Sequence, residues 1–242
     1  YSGEKKLASA ILAVIKAESP VACVTINHGE IFTDYELLNL LQDAGYVIQL
    51  LDLAKQEIPE DCRLMVCVAP VTDFAGYLEV SSGEAATSEI AKLDAYLDAT
   101  NAYMVFVDPQ TPVLTNLEEY LEEWGIVFDR TTDDSGSSYS YTIKDSTKSL
   151  TTDGYTIQAD YTLNGLGASI TTDMRDVAYP PKVIFKNTMA ISYSDTYQKV
   201  WYQDEEDTSY KFSYGSYFKD GITRSMYDIF VSPATATEVV DT

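Results

Sequence analysis

Histidine is almost absent from this chain of 242 residues: there is one, His28, and there are three cysteines, Cys23, Cys62 and Cys67. A zinc centre of His and Cys ligands needs a denser donor set than that, and chemistry built on two histidines is excluded. Basic residues are scarce as well, 16 Lys and Arg against 38 Asp and Glu, for a formal charge of -22. Phosphate recognition needs a basic surface, so nucleic acid is not an expected partner, and neither is an anionic membrane face. Nowhere do about 18 apolar residues run together, the length that crossing a bilayer requires. The most apolar early stretch, Leu7 to Ile15, lies between Lys5, Lys6 and Lys16 and lacks a small-residue cleavage site, so it reads as an amphipathic helix and not as a signal peptide.

Familiar catalytic signatures are missing too. No G-x-G-x-x-G follows the first apolar run and no G-x-x-x-x-G-K-[ST] occurs, so neither a dinucleotide fingerprint nor a phosphate-cradling loop is present. No G-x-S-x-G nucleophile elbow occurs. An amidotransferase-like nucleophile would sit on a sharp turn after a strand, whereas Cys67 lies inside its apolar run and reads as core. Cys62 and Cys67 in one extended segment lie about 16 Å apart, beyond disulfide reach. All three cysteines are expected to be free thiols, with Cys23 and Cys67 buried, and no cofactor is expected.

What is present divides into two parts. Residues 1–130 hold 22 acids and 7 bases, and residues 131–242 hold 16 and 9, while tyrosine runs the other way, 7 then 12. The loop-like run Asp129 to Ser138 marks the boundary. In the first part, apolar β-rich runs (Val21–Ile26, Tyr46–Leu53, Leu64–Ala69, Tyr103–Val107 and Ile126–Phe128) alternate with helix signals. Thr33-Asp34-Tyr35-Glu36 is a capping box ahead of Leu37, Leu38, Leu40 and Leu41. Ala85 to Leu97 places Ile90, Leu93 and Leu97 at helical spacing, and Thr115 with Glu118 forms a second capping box for a helix reaching Trp124. Continuous apolar strands joined by helices mean a parallel sheet covered on both faces. The expected class is therefore α/β, a flavodoxin-like or Rossmann-like layered fold.

The second part, 131–242, alternates Tyr, Thr, Ile and Val with polar residues. Strands are expected at Ser138–Ile143, Tyr155–Leu163, Val183–Tyr193, Val200–Tyr202, Tyr210–Tyr217 and Met226–Val231. This β-rich region packs on the first sheet or extends it. Asp204-Glu205-Glu206-Asp207 lacks the spaced ligands and turn glycine of a calcium loop and reads as a solvated hairpin loop, and Asp133-Asp134-Ser135-Gly136 has the same weakness as a calcium site. The tyrosines reflect β-propensity, or else a sugar- or protein-binding face.

In an open parallel sheet, ligands bind beyond the carboxyl ends of the strands. Three loops leave those ends: Asn27-His28-Gly29-Glu30, Pro70-Val71-Thr72-Asp73 and Asp108-Pro109. If the strands are neighbours, His28, Gly29, Glu30, Pro70, Asp73, Asp108 and Pro109 line one crevice, where an imidazole beside carboxylates would shuttle protons or hold a metal. The alternative is structural: Gly29 makes a tight turn, Pro70 and Pro109 stop strands, and the acids cap helices.

The order of these motifs resembles the extracytoplasmic domain of the auxiliary component of ABC-type transport systems, the group that includes gliding-motility auxiliary proteins. The residues that carry the resemblance are the helix-like Leu7 to Lys16, His28-Gly29-Glu30, Gly45-Tyr46-Val47 to Leu51, Ile58-Pro59, Val66-Cys67-Val68-Ala69-Pro70 with Asp73, Glu89 to Leu97, Asp108-Pro109, and Asn116-Leu117 through Trp124-Gly125-Ile126. It covers about residues 5–130 and continues weakly at Val183–Ile191 and Ile229–Ala234. Asn27 stands where the family commonly has Gly, and Asp98-Ala99-Thr100-Asn101 replaces its usual Gly-Gly turn. The resemblance implies a non-enzymatic module held outside the cytoplasm, at the cell surface or in the periplasm. It would be anchored by flanking membrane segments outside this sequence, and would engage ABC transporter permease or ATPase subunits, a cargo or an envelope protein. The start at Tyr1-Ser2-Gly3 fits a piece of such a parent. Two other expectations stand beside it: a hydrolase or amidotransferase-like enzyme, active or degenerate, using the crevice, and a carbohydrate-binding surface domain using the tyrosines.

Overall fold

The computed structural model describes residues 19–30, 35–76, 88–194 and 228–240, the strand backbones at 202–204, 207–211, 216–219 and 222–225, and residues 3, 7, 10, 11 and 14 of an N-terminal helix. The chain divides into two compact units, 1–107 with 111–117, and 108–110 with 118–242.

The first unit holds four strands, β1 (Val21–Thr25), β2 (Val47–Leu51), β3 (Cys62–Val68) and β4 (Ala102–Phe106). All pair in parallel, in the order β2-β1-β3-β4. This is the α/β class that alternating apolar runs and helix signals imply, with the flavodoxin-like order in which the first strand is central and the switch point lies between β1 and β3. β1 is buried at every position, as a strand covered on both faces must be, while the edge strands β2 and β4 leave Val47, Leu50, Met104 and Phe106 largely exposed.

Two helices follow from apolar spacing. Helix α1 (Glu36–Asp43) buries Leu41 and leans Leu37 and Leu38 on Ala22, Val24, Leu64 and Val66. Burial of one such leucine contributes roughly 2 kcal/mol. Thr33 and Asp34 of the expected capping box lie outside the described residues, and Tyr35, next to the helix start, makes no side-chain cap bond. Helix α2 (Glu89–Asp98) buries Ile90, Leu93 and Tyr96 and is capped by Ser88, whose Oγ accepts the Ala91 amide at 3.0 Å. Residues 85–87, expected to be its first turn, lie outside the described residues.

A register shift at the start of β3 sets Cys62 opposite Val21 and Leu64 opposite Ala22, so Arg63 is the extra residue. Side chains alternate along a strand, and the shift therefore moves Cys62 onto the face of Cys23, where its thiol lies 3.7 Å from the Tyr96 hydroxyl. All three cysteines are free and buried. Burial pushes the Cys67 thiol up to about 11.

The second unit is antiparallel. Helix α3 (Thr115–Glu123), within which the units divide, leads through Gly125 into β5 (Ile126–Phe128). The remaining strands are β6 (Arg130–Thr132), β7 (Ser138–Lys144), β8 (Thr156–Tyr161), β9 (Val183–Lys186), β10 (Ile191–Tyr193), β11 (Tyr202–Asp204), β12 (Asp207–Lys211), β13 (Ser216–Lys219), β14 (Ile222–Ser225), β15 (Phe230–Val231) and β16 (Thr237–Val240). They form sheets β16-β7-β6 and β15-β8-β9 and the pairs β10-β5, β11-β12 and β13-β14.

Several readings change here. Ile126–Phe128 does not continue the parallel sheet; it pairs antiparallel with β10. The run Asp129 to Ser138 holds strand β6 and the turn of the β6–β7 hairpin, where the Asp133 carboxylate accepts the Ser135 and Ser137 amides at 2.9 Å each, and the two units divide earlier, within residues 107–118. The single strand expected over Val183–Tyr193 is two, β9 and β10, because Asn187 between them takes the left-handed conformation with φ 49°. Two short helices, α4 (Gly165–Ile170) and α5 (Thr172–Arg175), stand where few helix signals are visible. They leave Leu166, Ile170 and Met174 exposed. Asp204 and Asp207 pair across β11–β12, the hairpin expected there, with Glu205 and Glu206 outside the described residues. Residues 200, 201, 212–215, 226 and 227 of the expected C-terminal strands also lie outside them.

Candidate functional site

Beyond the carboxyl end of β1 the chain turns through two left-handed residues, Asn27 with φ 80° and Gly29 with φ 75°. The glycine is required: a Cβ at Gly29 would overlap the Val71 side chain. The turn is bridged to the segment after β3, where the amides of Val71 and Thr72 both donate to the His28 carbonyl, at 2.7 and 2.9 Å. The switch-point crevice is thus crossed by backbone hydrogen bonds. Pro70, buried, follows Ala69, itself left-handed with φ 47°. On the β2 side, Asn27 donates to Asp52, which also accepts Lys55 Nζ at 2.8 Å.

The His28 ring points into the unit and is 4% exposed. It stacks on Phe74, with centroids 3.9 Å apart and planes 11° from parallel. Its Nδ1 lies 3.4 Å from Glu30 Oε1 and its Nε2 lies 3.2 Å from Glu89 Oε2. Both carboxylates are buried and fixed by backbone donors. The His28 amide donates to Glu30 Oε2 and the Ala75 amide to Glu89 Oε2, each at 2.8 Å. Glu89 occupies the first turn of α2, where the helix dipole favours an anion. Ser88 closes the arrangement by donating to the Ala75 carbonyl at 3.2 Å.

These contacts set the protonation state. Burial disfavours the charged imidazole, but the hydrogen bonds and charges of Glu30 and Glu89 outweigh it and raise His28 to about 9. Burial pushes the other way on Glu30 and Glu89 too, yet the His28 partner and backbone donors hold both below the usual carboxylate range. At neutral pH the group is an imidazolium between two carboxylates. Both ring nitrogens then carry protons, so neither offers the lone pair that a general base or a metal ligand must have.

Of the residues expected to line one crevice, the structure brings together His28, Gly29 and Glu30. Asp73 is turned elsewhere and serves as a cap. Its carboxylate accepts the amides of Asn116 at 2.8 Å and Leu117 at 3.2 Å in the first turn of α3, and that of Phe74 at 2.9 Å. Glu118, in the first turn of that helix, pairs with Arg130 at 2.8 Å. Asp108 belongs to the second unit and accepts the Gln110 amide at 2.8 Å, the turn that Pro109 begins. Glu89 is the partner the sequence reading missed. Among the described residues, no group of three or more His, Cys, Asp and Glu side chains is arranged to hold a metal ion. Nor, among them, is any helix long and apolar enough to cross a membrane.

No protein-family model matches the chain. No curated protein matches it either.

Proposed function

We propose that this chain is a non-enzymatic binding domain, the extracytoplasmic auxiliary part of an ABC-type export system, engaging a permease, a cargo or an envelope partner. The observation that carries the reading is the His28 clamp. The only histidine of the chain stands at the position where a sheet of this order would present catalytic groups, and its ring is buried, protonated and held by Glu30 and Glu89. Its chemistry goes into tying the loop after β1 to the start of α2, which is the work of a scaffold. The His-Gly-Glu turn at the end of the first strand is also one of the ordered motifs that carry the resemblance to the transport auxiliary family.

The test is co-expression of the full parent gene with its neighbouring permease and ATPase genes, followed by purification through a tag on this domain. Retention of the permease through detergent extraction is the expected result. A domain that purifies alone, from a gene with no membrane-spanning segments and no transporter neighbours, overturns the reading.

A further inference from the structure

Helix α4, in the second unit, is inside out. An amphipathic helix of a globular unit turns its large apolar residues to the core, but α4 buries Gly167 and Ala168, with Thr171 just beyond them, and exposes Leu166 and Ile170. The inward side is tight. A Cβ on Gly167 would lie 1.9 Å from the Asp228 carbonyl oxygen, so only a residue without a side chain fits there. The outward side continues through α5 and the chain after it. Met174, four residues past Ile170, is exposed, then Val177, and Tyr179 is 92% exposed. Leu163, ahead of α4, is exposed as well.

This segment is fastened in place. The Thr171 hydroxyl donates to the Gly167 carbonyl at 2.9 Å, Arg175 Nη1 donates to the Thr162 carbonyl at 3.1 Å, and the Tyr161 hydroxyl donates to the Pro181 carbonyl at 2.7 Å. Its largest apolar side chains nonetheless face solvent. Single exposed apolar residues are ordinary, whereas a run of them on one short segment marks an interaction surface.

Charge selects the occupant. Between 163 and 186 the chain carries Arg175, Lys182 and Lys186 against Asp173 and Asp176, a surplus of cations in a chain of formal charge -22. A second copy would bring another charge of that sign and size, and such a net charge keeps chains apart. A phospholipid surface offers phosphates to the cations and acyl chains to the apolar residues, and tyrosine settles at the boundary between the two. The acids elsewhere speak against a membrane for the chain as a whole, but charges more than about 8 Å away are largely screened at physiological ionic strength.

We propose that the stripe from Leu163 to Tyr179 rests on a phospholipid bilayer, with Leu166, Ile170 and Met174 entering the acyl boundary and the cations beside them at the headgroup phosphates. This surface does not depend on the transport reading.

The test floats the whole chain with vesicles of equimolar phosphatidylcholine and phosphatidylglycerol. The chain should rise with the vesicles. Ile170→Asp and Met174→Asp, both at exposed positions, should each cut the bound fraction at least about fivefold. Val113→Asp, at an exposed apolar position of the first unit, should leave it unchanged. Tyr179→Trp should give a blue shift of emission on adding vesicles, beyond any shift of Trp124 and Trp201 in the parent chain. The proposal is overturned if the chain does not float, or if flotation survives both aspartate variants. It is equally overturned if the chain forms a dimer that Ile170→Asp dissociates, or if it fails to float while Ile170→Asp releases a co-purified permease, since the face then belongs to a protein.

Discussion

His28 Nε2 lies 3.2 Å from Glu89 Oε2, across 61 residues of sequence. Because the chain has one histidine, a single imidazole resonance reports on this contact. Its titration midpoint should fall near 9 in the native protein. Glu89→Gln keeps the shape and removes the charge, and should lower that midpoint by about one unit or more. A midpoint near 6.5 in the unmodified protein would contradict the clamp.

Stability should follow the same protonation. The folded value of His28 lies above its ordinary 6.5, so the stabilisation is fully present below about that pH and is lost as pH rises through about 9. The size of the shift corresponds to about 3 kcal/mol. Glu30 and Glu89 are lowered, so their share is present above about 4.5 and disappears as pH falls through their native values. Urea midpoints measured from pH 3 to pH 10, against those of His28→Gln, should show the alkaline loss only in the parent protein.

Asp73 separates the capping role from a chemical one. Asp73→Ala should cost about 1 kcal/mol, the usual effect of losing an N-cap, and should leave the His28 titration where it is. A shift of the imidazole midpoint would mean that Asp73 contributes to the clamp after all.

Two glycines make contrasting predictions. Gly29→Ala meets a left-handed backbone and the Val71 side chain, so it should cost about 2 kcal/mol or more. Val71→Ala introduced beside it should restore only the steric part. At Gly167 the obstacle is the backbone carbonyl of Asp228, which no side-chain truncation can remove. Gly167→Ala should therefore destabilise by about 1–3 kcal/mol with no second-site rescue among neighbouring side chains. Thermal melts of the three variants check this.

The order of strands and helices in the first unit was legible because each element announces itself locally. A buried strand reads as an apolar run, and α1 shows its leucines at helical spacing. His28 and Glu30 were legible for the same reason, being two residues apart in one turn. Glu89 was not. An acid beside Ser88 at a helix start is fully accounted for by capping, and nothing local marks it as a partner for an imidazole 61 residues earlier. Asp73 failed in the opposite direction, since an acid after a strand looks the same whether it faces a crevice or caps a distant helix. Ile126–Phe128 was recognisable as a strand, but strand direction is set by the partner, and β10 lies far along the chain. Asn187 hid its break in a run of β-formers, as a left-handed residue leaves little trace in composition.

The clamp also imposes an order on synthesis. When His28 emerges from the ribosome its near carboxylate, Glu30, comes with it, but Glu89 follows 61 residues after His28, about 3–12 s later at ordinary elongation rates. Until then the imidazole lacks one of its two counter-charges, and Ala75 lacks the carboxylate that accepts its amide. A nascent chain halted before Ser88 therefore holds β1 with both of its strand partners, β2 and β3, but lacks the second carboxylate that keeps His28 protonated.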